Sequence, residues 1–226
     1  MPTIDDFDRT GSGWGTGPLG AWTTTRFGGG ATTAMTTDGA LARAAYDAGN
    51  SLVATLPLTI MLPFECVWLL DTRSASGETV QFFTGNSGGT LWGAAAVTFA
   101  GGDVKVEAKL RDAGGLVTPG SVVVAADTAQ AVYVRLRVEV TGVKVNAWPA
   151  ASTEPAGWLS QAVAGVSLAA IAGASVMDVE IDLGTVGHFL TFDQFAITAG
   201  GVNLGSAPRG ISGAPEYVIE LYDSGA

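Results

Sequence analysis

The chain has 226 residues, of which 47% are hydrophobic and 14% are charged, and this balance excludes an intrinsically disordered or fibrous protein. Asp and Glu number 21 against 11 Lys and Arg, so the net charge is −10, which excludes a broad nucleic-acid-binding surface. The 32 glycines, spread between apolar runs, are typical of many short strands joined by tight turns.

Segments of alternating or β-branched residues, separated by Gly, Asp, Asn and Ser, predict strands along most of the chain. Helical spacing is nearly absent, and the sequence has no internal repeat at solenoid or propeller spacing. In chain order, the predicted strands cover residues 4–7, 21–26, 31–36, 41–46, 51–58, 64–71, 79–83, 91–99, 104–111, 132–140, 143–148, 176–183 and 189–198.

Period-two alternation is clearest in residues 104–111 and 132–140, where apolar side chains alternate with charged ones. If these strands are adjacent, their charged faces pair across the sheet as a structural ladder. A functional interpretation stays open beside it, in which the same groups hydrogen-bond sugar hydroxyls. The basic residues of this ladder, which also includes the hairpin partner 143–148, are Lys105, Lys109, Arg111, Arg135, Arg137 and Lys144, interleaved with Glu107 and Glu139.

This pattern predicts an all-β fold, an antiparallel two-sheet jelly-roll sandwich in which each sheet buries one face. The predicted domain covers residues 1–198. Residues 199–226 form a C-terminal extension, a Gly-, Ser- and Pro-rich linker followed by one strand-like piece at 216–222 that cannot fold alone. That piece must dock on its own sandwich or on a neighbouring subunit, and the second arrangement makes the chain a homo-oligomer.

The start of the sequence has no basic segment followed by an apolar run, so we expect synthesis in a cytoplasm without a secretory signal. The apolar stretch 56–70 is short and contains Pro57, Pro63 and Glu65, so no membrane span is predicted. The single cysteine, Cys66, lies in this stretch and is predicted to be a buried, inert thiol.

Three short signatures mark the two ends and the middle of the predicted domain. Segment 5–22 contains DDFDR, GWG and a further Trp; segment 148–158 contains WP, EP and Trp; and segment 191–195 reads TFDQF. Together they resemble the concanavalin A-like lectin/glucanase (laminin G-like) sandwiches, which recur in secreted polysaccharide-binding modules and in tail proteins of phages that infect actinobacteria. The resemblance implies that the first and last strands pair in one sheet. It also implies that the signature tryptophans, Trp14, Trp22, Trp148 and Trp158, pack the sandwich.

The resemblance further implies a glycan-binding role. Combined with the missing secretory signal, it predicts a virion protein, a phage minor tail protein assembled in the host cytoplasm that recognises a cell-surface polysaccharide and contacts other virion proteins. We expect no enzymatic activity. Two alternatives stay open: a purely architectural tail or capsid decoration subunit, and a glycoside hydrolase related to laminarinases.

The hydrolase alternative depends on a row of carboxylates in one predicted strand. Laminarinase-like relatives carry Glu-x-Asp followed by a second Glu, and retaining glycosidases need two carboxyl groups about 5 Å apart. Asp178, Glu180 and Asp182 share one strand face, but Gly184 and Thr185 stand where the second Glu is expected. The acid/base is therefore missing, and the row is interpreted as a solvated face or as a cation or sugar site.

Five residues are the candidate carbohydrate-binding groups. Trp68 and Trp92 lie in strands outside the signatures and could offer an aromatic platform to a sugar, with core packing as the competing interpretation. Arg135, Arg137 and Glu139 are the candidate polar partners of sugar hydroxyls.

A calcium ion is the candidate cofactor. Asp5 and Asp6 are expected to face Asp193 across the paired terminal strands, and carboxylate oxygens are the ligands that Ca²⁺ prefers. Aspartates at strand starts also bind turn amides, which is the structural alternative.

Overall fold

The computed structural model describes residues 3–5, 7, 9–27, 34–38, 42–45, 51–71, 77, 79–86, 89–125, 131–182 and 189–197. These residues form short strands and a single 3₁₀ turn, Ala169–Ile171. In chain order the strands are β1 Thr3–Asp5, β2 Thr10–Ser12, β3 Thr16–Gly17, β4 Gly20–Ala21, β5 Thr23–Phe27, β6 Ala34–Asp38, β7 Ala42–Ala45, β8 Ser51–Ile60, β9 Phe64–Asp71, β10 Thr79–Asn86, β11 Trp92–Ala100, β12 Asp103–Asp112, β13 Gly115–Val117, β14 Val122–Ala125, β15 Ala131–Glu139, β16 Gly142–Pro149, β17 Ser160–Val163, β18 Gly173–Asp182 and β19 Phe189–Ile197.

The strands pair into two large antiparallel sheets. Sheet I has the order β17-β16-β15-β9-β19-β7-β6-β2, with β1 beside β19. Sheet II has the order β13-β12-β11-β10-β18-β8-β5, with β14 beside β12. The short pair β3–β4 stands apart from both. The predicted all-β, antiparallel two-sheet jelly-roll sandwich is thus confirmed.

Most predicted strands are present, and the longer ones match closely. The bounds of β9 are those predicted, and β10 extends three residues beyond the predicted end, to Asn86. The strands that the sequence pattern missed are β2, β3, β4, β13, β14 and β17, which have two to four residues each. Segments this short hold too few residues for a period-two pattern to be recognised. The predicted extension at 199–226 lies outside the described residues.

The two ends of the predicted domain meet in sheet I. Strand β1 pairs with β19, with Asp5 opposite Phe195 and Thr3 opposite Ile197. The pairing that the terminal signatures implied is confirmed.

The two strongly alternating strands lie in different sheets, which corrects the expected ladder. Strand β12 belongs to sheet II and β15 to sheet I, so their charged faces point to opposite sides of the molecule. On β12, Lys105 and Lys109 pair with acids of the same strand, at 3.9 and 3.7 Å. The basic residues of β15 and β16 form a separate network on sheet I.

An aromatic cluster fills the space between the sheets. Trp68 of β9 stacks on Phe82 of β10 with ring centroids 4.8 Å apart, and Phe192 and Trp22 each contact Trp68 at 6.0 Å. Trp14 packs on Phe192 at 4.9 Å. Trp68 has no exposed surface, so it is a core residue, and its predicted role as a sugar platform is corrected.

The other signature tryptophans divide between the inner and outer faces. Trp14 and Trp22 are buried in the core between the sheets, as predicted. Trp148 instead stacks on Tyr133 at 5.3 Å in a second cluster with Val67 and Leu69, whose side chains alternate with the core residues of β9. This cluster lies on the outer face of sheet I. The prediction that all four signature tryptophans pack the sandwich is therefore corrected for Trp148.

Cys66 is buried in the core, as predicted. Removal from water raises the pKa of its thiol, which keeps the group protonated and unreactive. In the part of the chain that the structure describes, no helix is long and apolar enough to cross a membrane.

Gly93 lies where side chains of the facing sheet approach the backbone closely, and it generates the first prediction. A Cβ atom at Gly93 would lie 2.6 Å from Val143 Cγ2 and 2.9 Å from Val138 Cγ2, both on the facing sheet. We expect Gly93→Ala to reduce the free energy of unfolding by about 1–3 kcal/mol, because overpacking forces neighbouring side chains to shift. Urea unfolding measures the change.

Gly11→Ala is the matched control, because a Cβ atom there has no neighbour within 4 Å. It should leave stability nearly unchanged. If both variants unfold at the wild-type urea concentration, the sheets do not approach as closely as the structure has them.

Candidate functional site

The described residues form a depression on the outer face of each sheet. The first, which we name the Trp92 cleft, lies on sheet II and has a volume of about 450 Å³. This volume falls within the range of small-ligand sites. The cleft is lined by Val53, Phe83, Gly85, Asn86, Gly89, Trp92, Asp178 and Glu180.

The local structure holds Trp92 in place at the start of β11. Trp92 pairs with Gly85, and a Cβ atom at Gly85 would lie 2.8 Å from the Trp92 Cβ, so only glycine fits there. The Phe83 ring meets the indole nearly edge-on, with centroids 5.1 Å apart and planes at 85°. Asn86 Oδ1 accepts hydrogen bonds from the amides of Thr90 and Leu91 and so fixes the turn before the indole. The indole is partly exposed and rigidly supported.

Two carboxylates of β18 complete the cleft. Asp178 and Glu180 alternate with the core residues of β18 and lie opposite Thr55 and Val53 of β8. Burial raises the pKa of Asp178, and a hydrogen bond from the Thr55 side chain only partly offsets it. Among the described residues, Asp178 Oδ1 has no hydrogen-bond donor. The side chain of Asp182, the third member of the predicted row, lies outside them.

The second depression, which we name the Trp158 groove, lies on the outer face of sheet I and has a volume of about 490 Å³. Strands β9, β15 and β16 form its floor, and the segment that follows β16 forms its wall. It is lined by Glu65, Arg135, Arg137, Glu139, Lys144, Asn146, Glu154, Pro155, Ala156, Gly157 and Trp158.

An ion-pair network covers the floor of the Trp158 groove. Arg135 is almost fully buried and bonds to Glu65 and, at 2.9 Å, to Glu154. Arg137 joins Glu65 to Glu139, with contacts of 2.9 and 2.8 Å. Glu139 also accepts from Lys144 at 2.9 Å. The network joins adjacent strands, as the alternating pattern predicted for cross-strand pairs.

The charges in this network stabilise one another. Burial is the largest influence on Glu139 and by itself would raise the pKa of that carboxyl, but hydrogen bonds and charge attraction from Lys144 and Arg137 outweigh it and lower the pKa. Burial by itself would lower the pKa of Arg137, but hydrogen bonds and charge attraction from Glu139 and Glu65 outweigh it and raise the pKa above its ordinary value. The groups are therefore ionised and bound to one another.

The segment that carries Trp158 is attached to this floor. Glu154 accepts from Arg135, and Asn146 Nδ2 donates to the Pro155 carbonyl at 3.1 Å. Trp158 is half-buried and lines the groove, so its predicted packing inside the sandwich is corrected. Asn146 is almost fully buried, and its Oδ1 has no donor among the described residues.

The predicted sugar-binding residues are thus separated by the fold. Arg135, Arg137 and Glu139 meet in the Trp158 groove, Trp92 lies on the opposite sheet, and Trp68 lies in the core between them. Glu65, the central acid of the network, is not among the site residues predicted from the sequence. Its signal is visible, because it is the single charged residue within the apolar run 64–70.

The carboxylate of Asp5 is occupied by protein donors. Its Oδ1 accepts hydrogen bonds from the Phe7 amide at 3.1 Å and from Arg9 Nη1 at 2.7 Å. Its Oδ2 accepts hydrogen bonds from Arg9 Nη2 at 3.1 Å and from the Trp22 indole at 3.0 Å. A carboxylate has about four acceptor positions, so these contacts leave none for a calcium ion.

Asp6 and the side chain of Asp193 lie outside the described residues, so the calcium site stays a prediction for them. Within the described ranges, no group of three or more His, Cys, Asp and Glu side chains is placed to hold a metal ion.

Comparisons with known proteins agree on the architecture. No protein-family model matches the sequence, and the search of curated proteins finds no match. Among solved structures, β-agarase A in complex with oligoagarose superposes with a TM-score of 0.61 at 7% identity, covering 87% of this chain and 91% of that chain. Bacillus licheniformis β-glucanase superposes with a TM-score of 0.57 at 12% identity, covering 88% of this chain and 98% of that chain.

A third match is LamA from Zobellia galactanivorans in complex with laminaritriose and laminaritetraose, with a TM-score of 0.56 at 8% identity and 86% and 97% covered. Identities this low establish the fold alone. The chain has the concanavalin A-like sandwich that these carbohydrate-active proteins share.

The electrostatics of the Trp92 cleft generate the second prediction. The folded state raises the pKa of Asp178 above its ordinary value of 3.8, so the contribution of this residue to stability falls as pH rises from 3.8 through the raised pKa. We expect the Asp178→Asn variant to unfold at a higher urea concentration than wild type at pH 7. The difference should shrink as the pH falls below 3.8, because Asp178 then becomes protonated in both the folded and the unfolded state.

Asp103→Asn is the matched control, because Asp103 makes only a long, 3.9 Å pair with Lys105 on the same sheet. Its loss should change stability by less than about 1 kcal/mol at any pH. An Asp178→Asn variant that is less stable than wild type at pH 7 would contradict the assignment of a desolvated carboxylate.

Proposed function

We propose that the chain is a non-enzymatic carbohydrate-binding protein that holds a neutral polysaccharide in the Trp92 cleft. One observation carries this proposal: Asp178 Oδ1 is a buried acceptor that has no donor among the described residues, in the same cleft as a partly exposed indole. A sugar offers both partners, since its ring stacks on an aromatic face and its hydroxyls donate hydrogen bonds.

The charge of the cleft and of the chain favours a neutral ligand. Asp178 and Glu180 are the charged residues of the lining, and the whole chain carries a net charge of −10. An anionic polysaccharide would be repelled by both. Two of the fold relatives were solved with agarose or laminarin oligosaccharides bound, and this supports the same ligand class here.

The biological setting is proposed on the sequence resemblance alone. In that setting the chain is a minor tail protein of a phage virion, assembled in the host cytoplasm, and its ligand is a polysaccharide of the host cell surface. Other virion proteins and further copies of the chain are its partners there. Mass spectrometry of purified particles tests this role, and absence of the chain from them would rule it out.

The third prediction concerns the indole of the cleft. Trp92→Ala should weaken binding of laminaritetraose or oligoagarose at least about tenfold, because the aromatic surface is lost. Trp92→Phe should retain part of the affinity, since it keeps a ring. Isothermal titration calorimetry measures both, after a glycan array has identified which neutral polysaccharide binds.

Leu116→Ala is the control, because Leu116 is 62% exposed on β13 of the same sheet and lies outside the cleft. Its affinity should equal that of wild type. The proposal fails if no neutral polysaccharide on the array is retained, or if Trp92→Ala binds as tightly as wild type with an unchanged melting temperature.

One observation favours a second candidate, a glycoside hydrolase. Asp178 has a raised pKa, as a general acid requires, and Glu180 follows two residues later on the same strand face. Strand geometry places their Cα atoms roughly 6–7 Å apart, which brings the carboxyl groups near the separation of about 5 Å in retaining enzymes.

The fourth prediction separates the two candidates. We expect no release of reducing ends when the chain is incubated with laminarin, agarose or xyloglucan at pH 5–8, because the second glutamate of the hydrolase motif is absent. Turnover that Glu180→Gln and Asp178→Asn each abolish, with binding retained, would establish the hydrolase instead.

A further inference from the structure

The Trp158 groove is a built site on the sheet opposite the Trp92 cleft. Two buried ionic groups, Arg135 and Glu65, form its floor, and Glu154 ties the wall segment to Arg135 at 2.9 Å. The hydrogen bond from Asn146 to the Pro155 carbonyl fixes the same segment three residues before Trp158. The indole is therefore presented from an anchored wall.

The groove is electrically balanced. Three cations, Arg135, Arg137 and Lys144, are matched by the acids Glu65, Glu139 and Glu154, and each charge is paired inside the network. An anionic ligand would compete with Glu139 for Arg137 and Lys144, and a cationic ligand would compete with the same two residues for Glu139. Breaking pairs of this kind is costly when the groups are partly buried. A neutral ligand leaves the network intact.

The groove also offers hydrogen-bonding capacity that the network does not use. Asn146 Oδ1 is a buried acceptor without a donor among the described residues. Lys144 makes one ion pair, and Arg137 uses Nε and Nη1, so both keep N–H groups for a further acceptor. Hydroxyl groups both donate and accept hydrogen bonds, so they can pair with the Asn146 acceptor and with the N–H groups of Lys144 and Arg137.

We infer that the Trp158 groove is a second binding site for a neutral saccharide, whose ring contacts Trp158 and whose hydroxyls contact Asn146, Lys144 and Arg137. This inference shares the ligand class of the proposed function and rests on it. The two sites lie on the outer faces of two packed sheets, so they point in opposite directions. One molecule then holds two polysaccharide chains and cross-links them.

The fifth prediction tests this inference with the full chain and its single-site variants. Calorimetric titration with laminaritetraose, or with the short neutral oligosaccharide that the array selects, should give about two sites for wild type. Trp92→Ala and Trp158→Ala should each give about one, and the double variant none. Wild type should precipitate the parent polymer, as a bivalent binder does, and neither single variant should.

Two further variants separate a lost site from a lost fold. Lys144→Ala should weaken the groove site several-fold, while Lys105→Ala, a lysine of similar exposure on sheet II, should not. Trp158→Phe should recover part of the binding that Trp158→Ala loses. Melting temperatures are measured for every variant.

The outcomes distinguish this inference from the proposed function. If wild type has a single site that Trp92→Ala removes and Trp158→Ala leaves unchanged, the inference about the Trp158 groove is wrong and the proposed function of the Trp92 cleft is supported. If the single site is instead removed by Trp158→Ala and unchanged in Trp92→Ala, binding in the Trp158 groove is supported and binding in the Trp92 cleft is ruled out. Absence of binding to every neutral oligosaccharide overturns both.

Discussion

The contact between Trp68 and Phe82 determines which residues of this protein can meet a ligand. Trp68 on β9 and Phe82 on β10 stack across the space between the sheets, 4.8 Å apart, and so define the inner face of both sheets. Side chains alternate along a strand, so this contact forces Glu65 and Phe83 outward. A shift of one residue would bury the ion pairs and expose the aromatic core. Both candidate sites thus depend on a core contact that touches no ligand.

The N-terminal signature is explained by a second buried contact. Asp5 receives the Arg9 guanidinium and the Trp22 indole, and Phe7 takes a positive φ of 56° between them. A positive φ at a bulky residue is strained and persists only where neighbours hold it. The Arg9 guanidinium lies 5.2 Å from the Phe7 ring centre and is one such neighbour. These residues hold the end of the first strand and the segment after it in place, and for this reason they identified the fold but not a binding site.

Sequence reasoning recovered the fold class, most strands and the pairing of the termini, because period-two patterns and turn residues are local properties. It could not assign strands to sheets. Strand β9 lies between β15 and β19, whose paired residues are 60–74 and 120–131 positions away, and no local pattern encodes those neighbours. The same limit explains the misplacement of Trp68, since burial depends on which side of β9 meets the other sheet. It also explains why Trp158 was assigned to the core.

The two outer faces differ in how completely their charged groups are paired, and therefore in how much those groups destabilise the folded state. In the Trp158 groove each charge has a partner, so the polar residues hold the wall segment in place. The acceptor of this groove that has no donor among the described residues, Asn146 Oδ1, belongs to an uncharged amide. In the Trp92 cleft, an oxygen of the Asp178 carboxyl group has no donor among the described residues, and burial raises the pKa of that group, which destabilises the folded state at neutral pH. Nothing in the packing of β18 requires an acid at that position, since its neighbours on the same face are Phe83 and Thr55. Departures from local consistency are expected where a protein binds its ligand. This difference is the physical reason to rank the Trp92 cleft as the first candidate site and the Trp158 groove as the second.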